Sequence, residues 1–207
     1  MHAHDRNPEP ELQTRNYAQQ PEQIASVPQP VAGFAQALIA SRSLPDAVRI
    51  PRIIVQPDLL TGELNAALAQ FADQPGYAEF VACIAAWAVT FGEISHTDAF
   101  SLRLSHSRGP TCPRFHKDAV HTRLIASLAG PGTEWIPAEF VQYSETGDIQ
   151  QNPSPEVVQQ LSEGAAGLFR GSRFELDDGE WVANAGVVHR SPHVSQDRVL
   201  LTLDVAA

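Results

Sequence analysis

The sequence has few cysteines and no long apolar run, and both shortages restrict what the protein can be. Only Cys83 and Cys112 occur among 207 residues, so a disulfide framework is excluded and a reduced compartment is expected. We find no uninterrupted apolar run of the roughly 18 residues needed to cross a bilayer, and the N-terminus lacks the apolar core of a secretory signal. A cytoplasmic protein without a membrane segment is therefore predicted.

Basic residues are also scarce. There are 14 Lys and Arg against 24 Asp and Glu, which gives a formal net charge of −10. Such a chain is a poor match for nucleic acid or for an anionic membrane surface, because both attract basic proteins. With 43% hydrophobic and 18% charged residues, the composition is that of a globular protein.

The chain divides into a polar tail and one predicted domain. Residues 1–30 are rich in Gln, Glu and Pro and lack periodicity, so they are predicted to be a disordered tail. Residues 31–95 carry mostly helical spacing of apolar residues, interrupted by a β-branched stretch at RIPRIIVQPD. Residues 96–207 contain seven or eight short segments of alternating or β-branched character, separated by Gly and Pro turns.

This order of elements predicts an α+β fold. Helices at the N-terminal side of the domain would pack on a core of antiparallel strands. The arrangement that fits best is a double-stranded β-helix, a jelly-roll or cupin-like double sheet that can hold a metal between its sheets.

Several residues of the β part have the types and spacing of a metal site. His116 and Asp118 are two positions apart, so on an extended strand their side chains share one face. His189 comes late in the chain and would complete a 2-His-1-carboxylate triad, whose open positions suit non-haem Fe(II). Arg198 opens the last predicted strand and could bind the far carboxylate of 2-oxoglutarate, as happens in Fe(II)/2-oxoglutarate oxygenases. Arg190 is an alternative ligand for that carboxylate.

Other interpretations of the same residues stay open. Cys112 lies four positions before His116 and could add a fourth ligand, which would make a tetrahedral zinc site. Asp118 could instead cap a turn or pair with Arg123. If the strand begins near Phe115, alternation places Arg123 on the face opposite His116, outside the metal site, unless a bulge intervenes.

The stretch CPRFHKDAVHTRLIASLAGPGTEW, together with VVHRSP and the closing RVLLTLD, resembles the domain of unknown function 1826 family of bacterial proteins. The resemblance covers roughly residues 50 to 207. It implies no established activity, but it associates the chain with bacterial gene neighbourhoods concerned with zinc supply.

The leading hypothesis is therefore a metal-binding protein with ligands His116, Asp118 and His189, which as an enzyme would be an Fe(II)/2-oxoglutarate-dependent dioxygenase. The main rival is a zinc-binding or zinc-homeostasis protein that uses Cys112 and catalyses nothing. A third possibility is a β-barrel that binds a small ligand without metal. The sequence identifies neither a small-molecule nor a protein substrate, and it leaves the oligomeric state open.

Overall fold

A computed structural model of the chain describes residues 21–41, 48–54, 57–175, 185–193 and 195–205. The helices and strands of these residues are, in chain order, β1 (Glu22–Ser26), α1 (Gln29–Ser41), β2 (Val48–Ile54), α2 (Pro57–Leu68), α3 (Tyr77–Ile94), β3 (Ala99–Ser107), β4 (Thr122–Ala129), β5 (Glu134–Ile136), β6 (Gln159–Gln160), β7 (Ala165–Arg170), β8 (Val188–Arg190) and β9 (Arg198–Val205). Short 3₁₀ turns lie at Ala69–Phe71, Ala138–Phe140 and Pro155–Val157.

Residues 1–30 were predicted to be a disordered tail, and the structure describes the last ten of them, residues 21–30. Residues 1–20 are not described, but Glu22–Ser26 form β1 and pair with β7 in antiparallel fashion. Ile24 and Ala25 of this strand pack against the hydrophobic core. Five residues are too few to produce a visible periodicity, so the strand is recognisable only through its partner.

The three helices contribute many of the buried residues of the main hydrophobic core. Phe34 of α1 stacks on Phe80 of α3 with ring centroids 4.6 Å apart. Leu64 of α2 is fully buried in the same cluster. By length and composition alone α3 could cross a membrane, contrary to the expectation from the sequence. One such helix is weak evidence, and α3 buries Phe80, Ile84 and six other residues inside the protein.

The strands form two antiparallel sheets. A six-stranded sheet has the order β1-β7-β4-β9-β3-β2, and a three-stranded sheet has the order β6-β5-β8. In β9, Val199, Leu201 and Leu203 are fully buried and belong to the same core cluster as the helices. Because side chains alternate along a strand, Arg198 and the residues two and four positions after it face the other side of the sheet. The predicted combination of helices and antiparallel sheets is confirmed.

The three-stranded sheet lies on that other side. Ile125 of β4, Phe169 of β7 and Val187 form a small buried cluster. Trp135 of β5 and Leu200 of β9 pack against it, which brings the two sheets into contact. Beside this cluster the sheets and their loops enclose a cavity of about 400 Å³.

Candidate metal centre

The three predicted ligands meet at the wall of this cavity. One possible ligand atom from each of His116, Asp118 and His189 lies within 4.8 Å of the other two. His116 Nε2 lies 3.6 Å from Asp118 Oδ1, and His189 Nε2 lies 3.2 Å from Asp118 Oδ2. The imidazole rings are tilted against each other with centroids 4.6 Å apart. All three residues line the cavity.

The backbone holds the two histidines opposite each other. His116 and His189 form an isolated antiparallel bridge and exchange two N–H···O bonds, each 3.0 Å long. His189 belongs to β8, whereas His116 lies in the loop between β3 and β4. The position of His116 is therefore set by this bridge and by the hydrogen bonds between Gln151 and the Phe115 backbone, and not by a continuous strand.

Each imidazole is also oriented by its second nitrogen. His116 Nδ1 lies 2.9 Å from the carbonyl oxygen of Arg114, and His189 Nδ1 lies 2.9 Å from that of Val187. A carbonyl oxygen only accepts, so Nδ1 donates and carries the proton in both rings. Nε2 is then the nitrogen that faces Asp118 in both rings, and it offers a lone pair whenever the ring is neutral. This tautomer leaves Nε2 as the nitrogen that can bind a metal, while Nδ1–H is held by a backbone carbonyl.

Asp118 is the acidic member of the group, and its side chain is only 12% exposed. Burial alone would raise its pKa, but the His116 and His189 imidazoles and the Arg123 guanidinium together hold the pKa of Asp118 well below its usual range. The contact with Asp118 in turn raises the pKa of His116. The carboxylate is thus ionised near neutral pH, as a metal ligand must be.

The oxygen Oδ2 of Asp118 is buried but has no hydrogen-bond partner among the described residues. Arg123 Nη1 lies 2.8 Å from Asp118 Oδ2 and His189 Nε2 lies 3.2 Å from it. Neither contact has the alignment of a hydrogen bond, so Oδ2 is buried without a hydrogen-bond partner. The Arg123 guanidinium offsets the charge of this oxygen, but the oxygen has no aligned hydrogen-bond donor in the described part of the chain and can still accept a further partner. Two imidazoles that present Nε2 and one such carboxylate make a donor set that fits a divalent cation such as Fe(II).

The prediction that Arg123 lies outside the metal site was wrong, because the structure places its side chain beside Asp118. Its guanidinium binds both oxygens of Asp204, with Nη2 2.9 Å from Oδ2, and it also contacts Asp118. The bonds to these two carboxylates outweigh burial and raise the pKa of Arg123. Alternation counted from Phe115 gave the wrong face because residues 117 to 121 do not form a strand. Counted from the start of β4, Arg123 and Ile125 share a face, and both line the cavity.

Cys112 lines the cavity but is not part of the ligand group. The cluster of candidate ligand atoms found among the described residues contains no cysteine. The Cys112 backbone is fixed instead, since its carbonyl accepts a 2.9 Å bond from the Ser191 N–H and its own N–H donates to Ser191 Oγ at 3.3 Å. The exposed thiol therefore sits at the edge of the site. The four-ligand zinc arrangement gains no support from this geometry.

Arg198 is buried on the cavity wall, with 1% of its surface exposed. Nε donates to the carbonyl of Pro131 at 2.8 Å, and Nη2 donates to Ser127 Oγ at 3.1 Å and to Thr133 Oγ1 at 3.4 Å. No carboxylate of the described residues pairs with it, and Nη1 makes no hydrogen bond there. Burial lowers the pKa of Arg198, and the more distant charge of Glu134 offsets this only in part.

The turn GPGTEW is what holds Arg198. The turn supplies two of the three acceptors, the Pro131 carbonyl and the Thr133 hydroxyl. Gly130 has φ +81°, and a Cβ there would lie 2.3 Å from the backbone oxygen of Asp197. A side chain at this position would push the turn away from the start of β9, so the glycine allows the close approach.

Arg190 differs from Arg198 in its surroundings. Its Nε donates to Glu134 Oε2 at 2.7 Å, and its guanidinium lies 4.2 Å from the centroid of the Phe115 ring. Its charge is therefore already paired with a carboxylate. Of the two arginines proposed from the sequence, Arg198 is the one with an unpaired charge in the described structure.

Comparisons with known proteins give a family and a fold. A family model described as "Protein of unknown function (DUF1826)" matches residues 25–204. The comparison with curated proteins found no match.

Among solved structures, the rice dioxygenase for auxin oxidation superposes with a TM-score of 0.53 at 14% identity, covering 95% of this chain and 77% of that one. The Arabidopsis thaliana dioxygenase for auxin oxidation 1, in complex with 2-oxoglutarate, gives 0.43 at 10% identity, with 96% and 73% covered. The Fe(II)/α-ketoglutarate-dependent dioxygenase TqaL gives 0.44 at 13% identity, with 94% and 85% covered. At these identities, the likeness to the rice enzyme shows a similar fold and nothing about activity.

Proposed function

The chain belongs to the family described as protein of unknown function (DUF1826), and we propose that it is an Fe(II)/2-oxoglutarate-dependent oxygenase. The observation that carries the proposal is one cavity with two features. A 2-His-1-carboxylate group lies on its wall, and a buried arginine without a carboxylate partner among the described residues lies on the same wall. The similarity to the rice dioxygenase fold supports a double-stranded β-helix core, formed by the six-stranded and three-stranded sheets.

His116, Asp118 and His189 would hold the metal. When bound, Fe(II) supplies open coordination positions for redox chemistry with a 2-oxo acid and dioxygen. Nδ1 of each histidine stays protonated on a backbone carbonyl, which keeps Nε2 directed at the ion. Arg123 would hold the carboxylate of Asp118 in place through its link to Asp204. The residue thus acts on the metal through its ligand.

Arg198 would bind the distal carboxylate of 2-oxoglutarate. The Pro131 carbonyl and the Ser127 hydroxyl fix Nε and Nη2, and Nη1 remains to donate. A charge-assisted bond in a buried place is strong because little water competes with it. Ile125 and Leu200 line the cavity as apolar wall and would exclude water from the bound keto acid.

The experiment measures metal content, 2-oxoglutarate binding and turnover on the same samples. The protein is purified without chelator, loaded anaerobically with Fe(II), and melted with and without 2-oxoglutarate. Succinate formed from 2-oxoglutarate in air is then quantified. We expect stoichiometric iron, a raised melting temperature with 2-oxoglutarate, and slow succinate formation without added substrate.

Variants separate this function from its alternatives. His116→Ala and His189→Ala should lose iron and the 2-oxoglutarate shift. His193→Ala, an exposed histidine outside the cavity, should keep both. Zinc that is retained in His116→Ala but lost in Cys112→Ser would contradict the proposal and support a zinc site. Unchanged metal content in His116→Ala and His189→Ala would exclude a metal role for the group.

A further inference from the structure

The cavity concentrates positive charge in an acidic protein. Its lining includes five arginines but only two aspartates, whereas the whole chain carries a net charge of −10. The five are Arg49, Arg103, Arg123, Arg190 and Arg198. A concave surface with one sign of charge raises the local concentration of ligands of opposite sign.

Two of the arginines are paired within the protein. Arg123 binds the carboxylates of Asp118 and Asp204. Arg190 binds Glu134. Their charges are therefore used in holding the site together.

Arg49 and Arg103 have no such partner. In the described parts of the chain, neither side chain makes an ion pair or a hydrogen bond, and both are exposed to solvent. They are directly opposite each other in the antiparallel pair of β2 and β3. Like charges in that position repel and destabilise the pair of strands. An anion bound between the two guanidinium groups would remove the repulsion.

The register of the sheet separates this pair from Arg198. Arg103 is opposite Thr202 of β9, which also lines the cavity. Arg198 lies four positions before Thr202 on the same strand, so the two rows are about 13 Å apart at ~3.3 Å per residue. A group bound at Arg49 and Arg103 is therefore distinct from one bound at Arg198.

We propose that the substrate of this protein is a small organic anion whose carboxylate or phosphate group is held by Arg49 and Arg103. The inference rests on the proposed function, because it takes the Arg198 end of the cavity as the place of the cosubstrate. A small molecule fits better than a macromolecule, since the cavity volume of about 400 Å³ is that of a small-ligand site. Planar guanidinium forks can bind either a carboxylate or a phosphate in bidentate fashion.

The test uses three probes with the same aromatic body: benzoate, phenylphosphonate and neutral benzyl alcohol. Binding to the Fe(II)-loaded protein is measured by calorimetry without oxygen, with and without saturating 2-oxoglutarate. We expect at least one anion to bind and benzyl alcohol not to bind. The better anion identifies the headgroup. In Arg49→Gln/Arg103→Gln its affinity should fall by roughly tenfold or more, because charge-assisted hydrogen bonds are lost.

A matched variant, Arg108→Gln/Arg173→Gln, removes the same charge from exposed positions outside the cavity and should leave the affinity unchanged. Arg49→Lys/Arg103→Lys keeps the charge and should retain part of the binding. The metal-loaded Gln variant should keep the melting-temperature rise caused by 2-oxoglutarate, which also shows that it is folded. Equal anion binding in the Gln variant, or no anion binding in the wild type, overturns the inference. Loss of the 2-oxoglutarate effect in the wild type defeats the proposed function instead, and the titrations without 2-oxoglutarate still decide the role of Arg49 and Arg103.

Discussion

Replacement of Arg198 by methionine tests the cosubstrate site most directly. Methionine fills most of the buried volume of the side chain but cannot donate to a carboxylate. Hydrogen bonds to charged groups contribute about 1.5–3 kcal/mol, so the dissociation constant for 2-oxoglutarate should rise roughly 10- to 150-fold. We expect no comparable effect from Arg190→Met, because Arg190 is bound to Glu134.

The size of the effect can be worked out for a thermal melt. A ligand at a hundred times its dissociation constant stabilises the folded state by about 2.7 kcal/mol. If the affinity falls a hundredfold, the same concentration of 2-oxoglutarate stabilises by only about 0.4 kcal/mol. At ~2–4 °C per kcal/mol for a chain of this size, a shift of about 5–11 °C would shrink to about 1–2 °C.

The assay compares each Fe(II)-loaded variant with itself, with and without 2-oxoglutarate. This removes the effect of Arg198→Met on the stability of the ligand-free protein, where three hydrogen bonds are lost but a buried charge is also removed. A full shift in Arg198→Met, or a shift lost in Arg190→Met and kept in Arg198→Met, would refute the assignment of Arg198.

Three further predictions concern the metal site and the cysteines. In the metal-free protein, the low pKa of Asp118 stabilises the folded state above pH ~4, where the carboxylate is ionised. The raised pKa of His116 stabilises the folded state most below pH ~6.5. The melting temperature of Asp118→Asn should thus fall furthest below that of the wild type near pH 5–6, and a difference that grows steadily above pH 7 would contradict this. Burial raises the pKa of the Cys83 thiol to about 11, so iodoacetamide at pH 8 should modify the exposed Cys112 first by peptide mass spectrometry, whereas equal rates would argue against the burial of Cys83. Gly171→Ala would place a Cβ 1.9 Å from a backbone oxygen of the loop that carries Asp118, so iron binding should weaken and the melting temperature fall, and an unchanged iron affinity would show that the loop can adjust.

Much of the ligand group was predictable from local chemistry. The pair His116 and Asp118 is close in sequence, and the late His189 and Arg198 have spacing typical of an oxygenase cavity. His189 lies in the middle of β8 and Arg198 begins β9, so both strands place their candidate residue at the cavity. The helices and the long strands were predictable because their apolar spacing extends over eight or more residues.

The remaining features depend on contacts between distant parts of the chain. The side on which Arg123 lies is decided where β4 begins at Thr122, and an irregular loop before it breaks the alternation. The role of the turn at Gly130 becomes clear only when Asp197 is beside it. The position of Glu134 decides which of Arg190 and Arg198 is paired with a carboxylate. No local sequence pattern contains that information.

The single bridge between His116 and His189 has a consequence for how the protein matures. The two residues are far apart in sequence, and their backbones meet only when the loop after β3 has reached β8. The intact ligand group therefore does not exist in any isolated segment of the chain. Tight binding of the proposed iron should thus be a late event, and a bound ion would favour the completed chain over partly folded forms.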